Sequence, residues 1–230
     1  MKTVAIVAAG GVGRRLGYRT PKPFIRLAGK PLVLYCLETL EASNCVDSVL
    51  IAVERSSIKR LNRTVRNASL KKVRAVVEGG RDRSRSVRNC LELVDMSYDV
   101  VLVHDAARPF VDADTLKRSI RAAGKFGACL TAVPEVDTVK EVRGGAVTRT
   151  LDRSVIWRAQ TPQAFRRSVI LGAYKNVRTT DRETTDDSTL VELQEKKVRV
   201  IHGSYMNIKI TTRDDLAFAE AIVRLRRLAA

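Results

Sequence analysis

Short apolar runs rich in β-branched residues recur along the chain and alternate with stretches that have the apolar spacing of helices. Such runs, bounded by turn-forming residues, are typical of buried strands. Helices are predicted between them, from Pro31 onward and over Arg83 to Val94. This alternation predicts an α/β, Rossmann-like fold in which helices cover both faces of a mostly parallel sheet. The predicted strands are Val4 to Val7, Val49 to Val53, Val73 to Val77, Val100 to Val103 and Cys129 to Val133.

The pattern changes after Pro134, where Gly144 and Gly145 separate two short extended runs. Two extended runs joined by glycines predict a hairpin. We expect this hairpin to form a β-arm over about residues 135–160, projecting from one domain that spans residues 1–230. Beyond the arm, the pattern predicts strands at Val198 to His202 and Ile208 to Thr211 and a closing helix from Asp214 to Leu228.

The composition favours a globular, soluble protein of the cytoplasm. Apolar residues make up 45% of the chain, and no apolar stretch approaches the length of a membrane span. The apolar run near the N-terminus is too short for the core of a signal peptide. The four cysteines lack the close spacing of a metal or redox motif, so free thiols in a reducing compartment are expected. We expect no membrane partner.

The formal net charge of +17 raises the question of nucleic-acid binding. The basic residues are dispersed, and those in Arg55 to Arg74 and in Arg213 to Arg227 fit solvated helix faces. Neither segment has the aromatic series of a base-stacking platform. The charge therefore indicates attraction for small polyanions rather than a nucleic-acid partner.

A glycine-rich segment follows the first predicted strand, at the edge where open α/β sheets bind ligands. Ala9, Gly10, Gly11 and Gly13 allow the backbone to approach a ligand and to direct its N–H groups at phosphate oxygens. The segment lacks the Gly-Lys-Ser/Thr ending of a P-loop, and Leu16 stands where a dinucleotide fingerprint has its third glycine. A phosphate site outside those two classes is therefore favoured over a simple connecting turn.

Arg14, Arg15 and Lys22 add positive charge to this glycine segment. Arg15 lies within it, and Lys22 stands between Pro21 and Pro23, which restrict the backbone on both sides of the lysine. A preorganised cation stabilises developing negative charge with little reorganisation. Arg15 and Lys22 are therefore candidate catalytic residues, and the alternative for Lys22 is an ordinary surface lysine in a turn.

Polar residues also follow two later strands. Asp105 ends the strand that begins at Val100, and a carboxylate there can hold Mg²⁺, or another divalent cation, together with substrate phosphates. His104 has neither the nucleophile of a triad nor a second histidine for zinc, so a structural role is expected. Gly80 and Ser86 follow the third strand and fit either base recognition or an ordinary capped helix start.

Together these segments resemble the 2-C-methyl-D-erythritol 4-phosphate cytidylyltransferases of the non-mevalonate isoprenoid pathway. The resemblance covers nearly the whole chain, and the ordered set is more specific than the glycine loop, which marks nucleotidyltransferases in general. Pro23 and Arg81 depart from the pattern, which usually has a glutamine and an acidic residue there. The segments that carry the resemblance are Ala9 to Arg15, Pro21-Lys22, Gly79-Gly80 with Ser86-Val87, Val103 to Pro109, Asp137 to Lys140, Thr161 to Phe165, Thr185-Asp186 and Asn207 to Thr211.

The resemblance implies transfer of CMP from CTP to methylerythritol phosphate by a homodimer, with Arg15 and Lys22 neutralising the triphosphate and the transition state. It implies that Asp105 binds Mg²⁺ and the nucleotide. It also implies that the arm of the partner chain brings Arg153 and Thr161 to the acceptor site. The implied nucleotide-binding residues are Ala9, Gly10, Gly11, Gly13, Gly80, Ser86, Asp105, Ala106 and Lys209. The implied acceptor-binding residues are Arg108, Asp137, Thr138, Arg153, Thr161, Thr185 and Lys209.

Three other functions stay open on the sequence. A cytidylyltransferase for another polyol phosphate, such as ribitol 5-phosphate, shares the loop, the Asp105 segment and the arm. A nucleic-acid-binding protein would use the +17 charge, and its binding would depend steeply on salt without turnover of CTP. A nucleotide-binding regulator would keep the binding residues without catalysis.

Overall fold

The computed structural model describes residues 1–11, 13, 16–18, 20–176 and 186–228. Short 3₁₀ turns occur at Lys22–Phe24, Arg55–Ser57 and Arg153–Val155. The strands are β1 (Thr3–Ala8), β2 (Arg26–Leu27), β3 (Lys30–Pro31), β4 (Ser48–Val53), β5 (Val73–Glu78), β6 (Val100–Asp105), β7 (Ala128–Pro134), β8 (Lys140–Arg143), β9 (Ala146–Thr150), β10 (Trp157–Arg166) and β11 (Arg199–His202). The helices are α1 (Leu32–Ala42), α2 (Ile58–Asn67), α3 (Arg83–Leu91), α4 (Ala113–Phe126), α5 (Arg167–Asn176), α6 (Asp187–Glu192) and α7 (Arg213–Leu228).

Seven of these strands form one sheet in the order β11-β7-β10-β6-β1-β4-β5. Strand β10 runs antiparallel to both of its neighbours, and the other pairings are parallel. The register places Ala8, at the end of β1, opposite both Ala52 of β4 and Asp105 of β6. The carboxyl ends of these strands therefore lie at one edge of the sheet, where the predicted site segments leave it.

Alternate residues of β1 enter two separate cores. Ala5 and Val7 pack with apolar side chains of α1, α2 and α4, whereas Val4 and Ile6 pack with those of α3, α5 and α6. All four side chains are fully buried. Because successive side chains of a strand point to opposite faces, the two cores confirm the prediction of helices on both faces of the sheet.

A third core attaches the closing helix to the segment that follows the glycine loop. Leu216 and Val223 of α7 pack with Leu16 and Leu27. The Arg213 Nε also donates a hydrogen bond of 3.1 Å to the Leu16 carbonyl. Helix α7 therefore fixes one end of the glycine loop against the body of the protein.

Strand β10 was not predicted from the sequence. Pro162 cannot donate a ladder hydrogen bond, and proline inside a run of polar residues is usually taken as a sign against a central strand. The register with β7 shifts between Gln160 and Gln163, so Pro162 lies within an irregularity of the ladder. A bulge of this kind admits a proline between two neighbouring strands.

The prediction of a strand at Ile208 to Thr211 was wrong. This segment forms no ladder with the described strands, and the Ile210 N–H donates to the Ala107 carbonyl, beyond the end of β6, at 2.9 Å. The N–H groups of Thr211 and Thr212 donate instead to the Asp215 carboxylate, each at 2.8 Å. Side-chain acceptors thus replace the ladder as the segment crosses the end of β6.

Strands β8 and β9 form a separate two-stranded antiparallel hairpin, as predicted for the arm. Apart from Glu141, its residues are exposed, and the exposed ones include the apolar Val142 and Val147. The Arg153 guanidinium donates to the Val136 carbonyl at 2.8 Å and so joins the two ends of the arm. The hairpin therefore projects from the sheet. None of the described helices has both the length and the apolar character needed to cross a membrane.

Candidate active site

A cleft with a volume of about 280 Å³ opens where the main sheet strands end. We call it the strand-end cleft, and it is formed by the loops after β1, β5 and β6 together with the segment around Lys209. The structure thus brings together the predicted catalytic lysine and all the predicted nucleotide-binding residues except Gly13. Those residues are Ala9, Gly10, Gly11, Lys22, Gly80, Ser86, Asp105, Ala106 and Lys209.

Backbone hydrogen bonds hold the described parts of the glycine loop beside this cleft. The Ala9 N–H extends the pairing of β1 with β4 through a bond of 2.8 Å to the Ala52 carbonyl. Further along, the Lys22 N–H donates to the Gly11 carbonyl at 3.3 Å. Gly13 has a φ of +70°, in the left-handed region that favours glycine. Lys22 thus lies beside Gly11, whereas Arg15, the other predicted catalytic cation, lies outside the described residues.

The loop after β5 is equally constrained. The Gly80 N–H donates to Ser86 Oγ at 3.0 Å, and that hydroxyl donates to the Asp82 carbonyl at 2.8 Å. The Asp82 carboxylate in turn caps α3 by accepting from the Arg85 N–H at 2.7 Å. A β-carbon on Gly80 would overlap Arg85, whose backbone carbonyl carbon would lie 3.0 Å away. Gly80 and Ser86 thus form one wall of the cleft, and glycine is required at position 80.

Asp105 is the electrostatic centre of the strand-end cleft. Its Oδ1 lies 2.7 Å from the Arg83 Nε, and its Oδ2 lies 2.7 Å from the Lys209 Nζ. Burial opposes the negative charge, but Arg83 and Lys209 outweigh it and hold the pKa of Asp105 below its ordinary value. The carboxylate is therefore charged at neutral pH, with one cation on each oxygen.

Asp105 is also the predicted metal ligand. Within the described ranges, no three His, Cys, Asp or Glu side chains cluster as a metal site. Mg²⁺ commonly binds through one or two carboxylates and completes its shell with water and substrate phosphates. Each carboxylate oxygen has lone pairs beyond the one facing its cation. The donor set therefore fits a metal ion that arrives with a triphosphate rather than one held by the protein alone.

The family model for 2-C-methyl-D-erythritol 4-phosphate cytidylyltransferases matches residues 3–225. The chain belongs to this family. The cytidylyltransferase of Syntrophus aciditrophicus is 44% identical over 225 residues, which cover 97% of this chain and 96% of that relative. The enzyme of Pelotomaculum thermopropionicum is 42% identical over 228 residues, covering 98% and 96% of the two chains.

Solved structures of the family have the same fold. The crystal structure of 4-diphosphocytidyl-2C-methyl-D-erythritol synthase from Anaerococcus prevotii superposes with a TM-score of 0.85 at 30% identity, over 97% of this chain and 96% of that one. The 2-C-methyl-D-erythritol 4-phosphate cytidylyltransferase of Thermus thermophilus gives a TM-score of 0.80 at 30% identity, over 97% and 100%. The family thus agrees with the α/β fold predicted from the sequence.

Among the described residues predicted to bind the acceptor, Lys209 alone lines the strand-end cleft. Asp137, Thr138 and Arg153 lie exposed at the base of the arm and do not line the strand-end cleft. Arg108 donates to the Asn207 carbonyl at 2.8 Å and to the Ala159 carbonyl at 3.2 Å, so its guanidinium joins two segments of the same chain. Thr185 lies outside the described residues.

Thr161 occupies a different place from the one expected. It is buried, and its Oγ1 accepts a hydrogen bond of 3.0 Å from the Asp105 N–H of the same chain. A side chain in this position cannot reach across to a second copy of the chain. Thr161 therefore supports the backbone of Asp105 in its own chain. The expectation that the arm of a partner chain presents Thr161 is wrong.

The sequence analysis did not single out Arg83, which lines the cleft, or Gln163, which supports the start of α6. Arg83 lines the cleft and pairs with both Asp105 and Asp187, each at 2.7 Å. Gln163 holds the start of α6 by accepting from the N–H groups of Asp187 and Ser188, each at 3.1 Å. In the sequence, Arg83 resembles any basic residue in the first turn of a helix. Because Arg83 and Asp105 are far apart along the chain, the sequence does not indicate that they are in contact.

His104 has the structural role expected from the sequence. It is fully buried, with Nε2 at 2.9 Å from the Arg108 carbonyl and Nδ1 at 3.1 Å from Thr161 Oγ1. Burial lowers the pKa of His104 to about 4, against a smaller opposing effect of the bond to the Arg108 carbonyl. The imidazole is therefore neutral inside the folded protein at neutral pH.

We predict that the His104 ring does not titrate between pH 8 and about 5.5. The unfolded chain binds a proton near pH 6.5 and the folded chain only near pH 4, so this group lowers the free energy of unfolding as the pH falls from about 6.5 towards 4, by about 1 kcal/mol per pH unit. Proton NMR of the apo protein can follow the ring directly, because the chain has two histidines, and His202→Gln assigns the signals. A His104 signal that titrates near pH 6.5 would contradict this prediction.

Proposed function

We propose that this chain transfers CMP from CTP to 2-C-methyl-D-erythritol 4-phosphate and releases pyrophosphate. The observation that carries the proposal is the strand-end cleft of a cytidylyltransferase family member, in which Lys22, Asp105 and Lys209 meet the glycine loop. A ribitol 5-phosphate acceptor is the alternative, and the curated relatives at 38–44% identity do not favour it. The four free thiols fit the cytoplasm, which we propose as its location.

In the proposed reaction, a phosphate oxygen of the acceptor attacks the α-phosphorus of CTP in line. The bond between that phosphorus and the oxygen bridging to the β-phosphate breaks, and its electron pair leaves with pyrophosphate. The attacking phosphate is already an anion at neutral pH, so no general base is required. Catalysis therefore depends on positioning and on stabilising negative charge.

The chain's own residues supply that positioning and charge. We assign the triphosphate to the backbone of Gly10 and Gly11 and to Lys22, with Arg15 as a second cation. We assign the base to the wall formed by Gly80 and Ser86. Asp105 would hold Mg²⁺, or another divalent cation, which adds positive charge beside the phosphate oxygens when bound. Lys209 holds the Asp105 carboxylate and contributes a further cation to the cleft.

We also propose that two copies of the chain form the working enzyme. The arm exposes Val142 at 55% and Val147 at 60%, and Val155 at its base at 72%, so the apolar side chains follow its length. Exposed apolar surface of this kind marks an interaction site. In a homodimer, Arg153 of one copy would reach the acceptor bound beside the cleft of the other copy, where it would meet Thr138, Thr185 and Lys209 of that copy.

The acceptor and the base can be tested together by measuring pyrophosphate release. The four common nucleoside triphosphates are each combined with methylerythritol phosphate, ribitol 5-phosphate and other polyol phosphates. We expect the highest kcat/KM with CTP and methylerythritol phosphate. A preference for ribitol 5-phosphate would overturn the acceptor, and CTP binding without turnover of any acceptor would indicate a regulator.

The role of Lys22 predicts a large loss of turnover. Removing a preorganised charge at a developing anion costs on the order of 10²–10³ in kcat, so Lys22→Ala should lose activity by this factor while its thermal unfolding stays close to wild type. Lys59→Ala, on the exposed face of α2, is the matched control for loss of one positive charge. Turnover of Lys22→Ala equal to that of Lys59→Ala would remove Lys22 from the mechanism.

The composite acceptor site predicts complementation between two inactive variants. Arg153→Ala damages the arm contribution and Lys22→Ala damages the cleft, so a mixed dimer contains one intact site. Mixing the two variants after partial dissociation should restore part of the wild-type turnover. If the mixture stays as inactive as its components although subunit exchange is demonstrated, acceptor binding by the partner's arm is wrong.

A further inference from the structure

Arg83 links two buried carboxylates that belong to different parts of the fold. Its Nε lies 2.7 Å from Asp105 in the strand-end cleft, and its Nη1 lies 2.7 Å from Asp187 at the start of α6. The side chains of these two aspartates are 9% and 1% exposed, and that of Arg83 is 24% exposed. Lys209, Asp105, Arg83 and Asp187 thus form a series of alternating charges that runs from the strand-end cleft to the start of α6.

Asp187, the last member of this series, is held in place by several hydrogen bonds. The Tyr174 hydroxyl donates to Asp187 Oδ1 at 2.6 Å, and Gln163 accepts from the Asp187 N–H at 3.1 Å. The neighbouring Asp186 caps α6 by accepting from the Thr189 N–H at 3.0 Å. Asp187 is therefore held by side chains of α5 and β10, and Arg83 transmits this fixed position to Asp105.

At the other end of the series, Arg83 restricts the orientation of the Asp105 carboxylate in the cleft. Asp105 receives Arg83 on one oxygen and Lys209 on the other, so its carboxylate cannot rotate without breaking a charged contact. Lys209 is more exposed, at 44%, and it lies outside the helices and strands. Arg83 is therefore the more rigid of the two cations that orient the carboxylate.

We propose that Arg83 is a positioning residue for the nucleotide site, which acts by orienting Asp105 from the fixed point at Asp187. This inference rests on the proposed function, because it assigns to Asp105 a direct role in binding CTP. An arginine suits the task because its planar guanidinium presents several N–H donors in fixed directions, whereas lysine is a single point charge.

The test needs variants that do not leave a buried charge without a partner. Removing Arg83 alone would leave the carboxylate of Asp187 unpaired in the interior, which is costly to folding. The double variant R83Q/D187N removes both charges, R83K/D187N restores one cation near Asp105, and D187N alone is the reference for both. For each, kcat, both KM values and the CTP dissociation constant by calorimetry are measured well below the melting temperature.

Relative to D187N, we expect R83Q/D187N to lose kcat by about 10- to 100-fold and to bind CTP more weakly, since a small misplacement in a site has effects of this order. The KM for the acceptor phosphate should be unchanged, because neither Arg83 nor Asp187 is among the proposed acceptor-binding residues. R83K/D187N should recover part of kcat and of the CTP affinity. A general loosening of the fold would instead alter both KM values.

Equal kcat and CTP affinity in R83Q/D187N and D187N would overturn the positioning role, as would a lysine variant no better than the glutamine variant. These outcomes can be distinguished from failure of the proposed function. If the proposed function were wrong, the wild-type enzyme itself would fail to turn over CTP with the acceptor. The calorimetric comparison of CTP binding would then still test how Arg83 acts on Asp105.

Discussion

The buried carboxylate of Asp105 is the constraint on which the site depends. A negative charge at 9% exposure is tolerated only if opposite charges compensate for its lost hydration. Arg83 and Lys209 provide this compensation, and they come from segments distant in sequence. Thr161 adds a hydrogen bond to the Asp105 backbone from β10. Four separate segments of the chain therefore meet at the Asp105 carboxylate and its backbone.

The parallel sheet makes this convergence possible. Because β1, β4 and β6 end at the same edge, the glycine loop and Asp105 become neighbours as soon as the strands pair. Helix α7 then holds the far side of the glycine loop through Leu16 and Arg213. The cleft is therefore lined by segments that leave the ends of paired strands. A net charge of +17 favours the approach of anionic substrates to such a cleft.

Much of this arrangement could be predicted from the sequence because the relevant signals are local. The buried strands are continuous apolar runs, and the ligand-side loops follow them directly, so Gly10, Gly80 and Asp105 could be assigned to one edge. The arm was also predictable, since Gly144 and Gly145 are local turn signals. Family resemblance added Lys209, which has no local signal of its own.

The remaining features depend on contacts between distant residues. Strand β10 escaped prediction because Pro162 and its polar neighbours are accommodated by a bulge that only the paired strands define. The strand predicted at Ile208 to Thr211 failed because Asp215, not a neighbouring strand, satisfies its N–H groups. Arg83 and Thr161 were missed or misplaced for the same reason. Their roles come from Asp105, which lies far from each of them in sequence.

The central claim is that the strand-end cleft binds CTP around Asp105 and the glycine loop. A crystal structure of the enzyme with CTP and Mg²⁺ tests this claim most directly. The account predicts the base against Gly80 and Ser86, the phosphates along Gly10, Gly11 and Lys22, and the metal ion bound by Asp105. A nucleotide bound elsewhere, such as along the basic face of α2, with the cleft holding solvent alone, would contradict it.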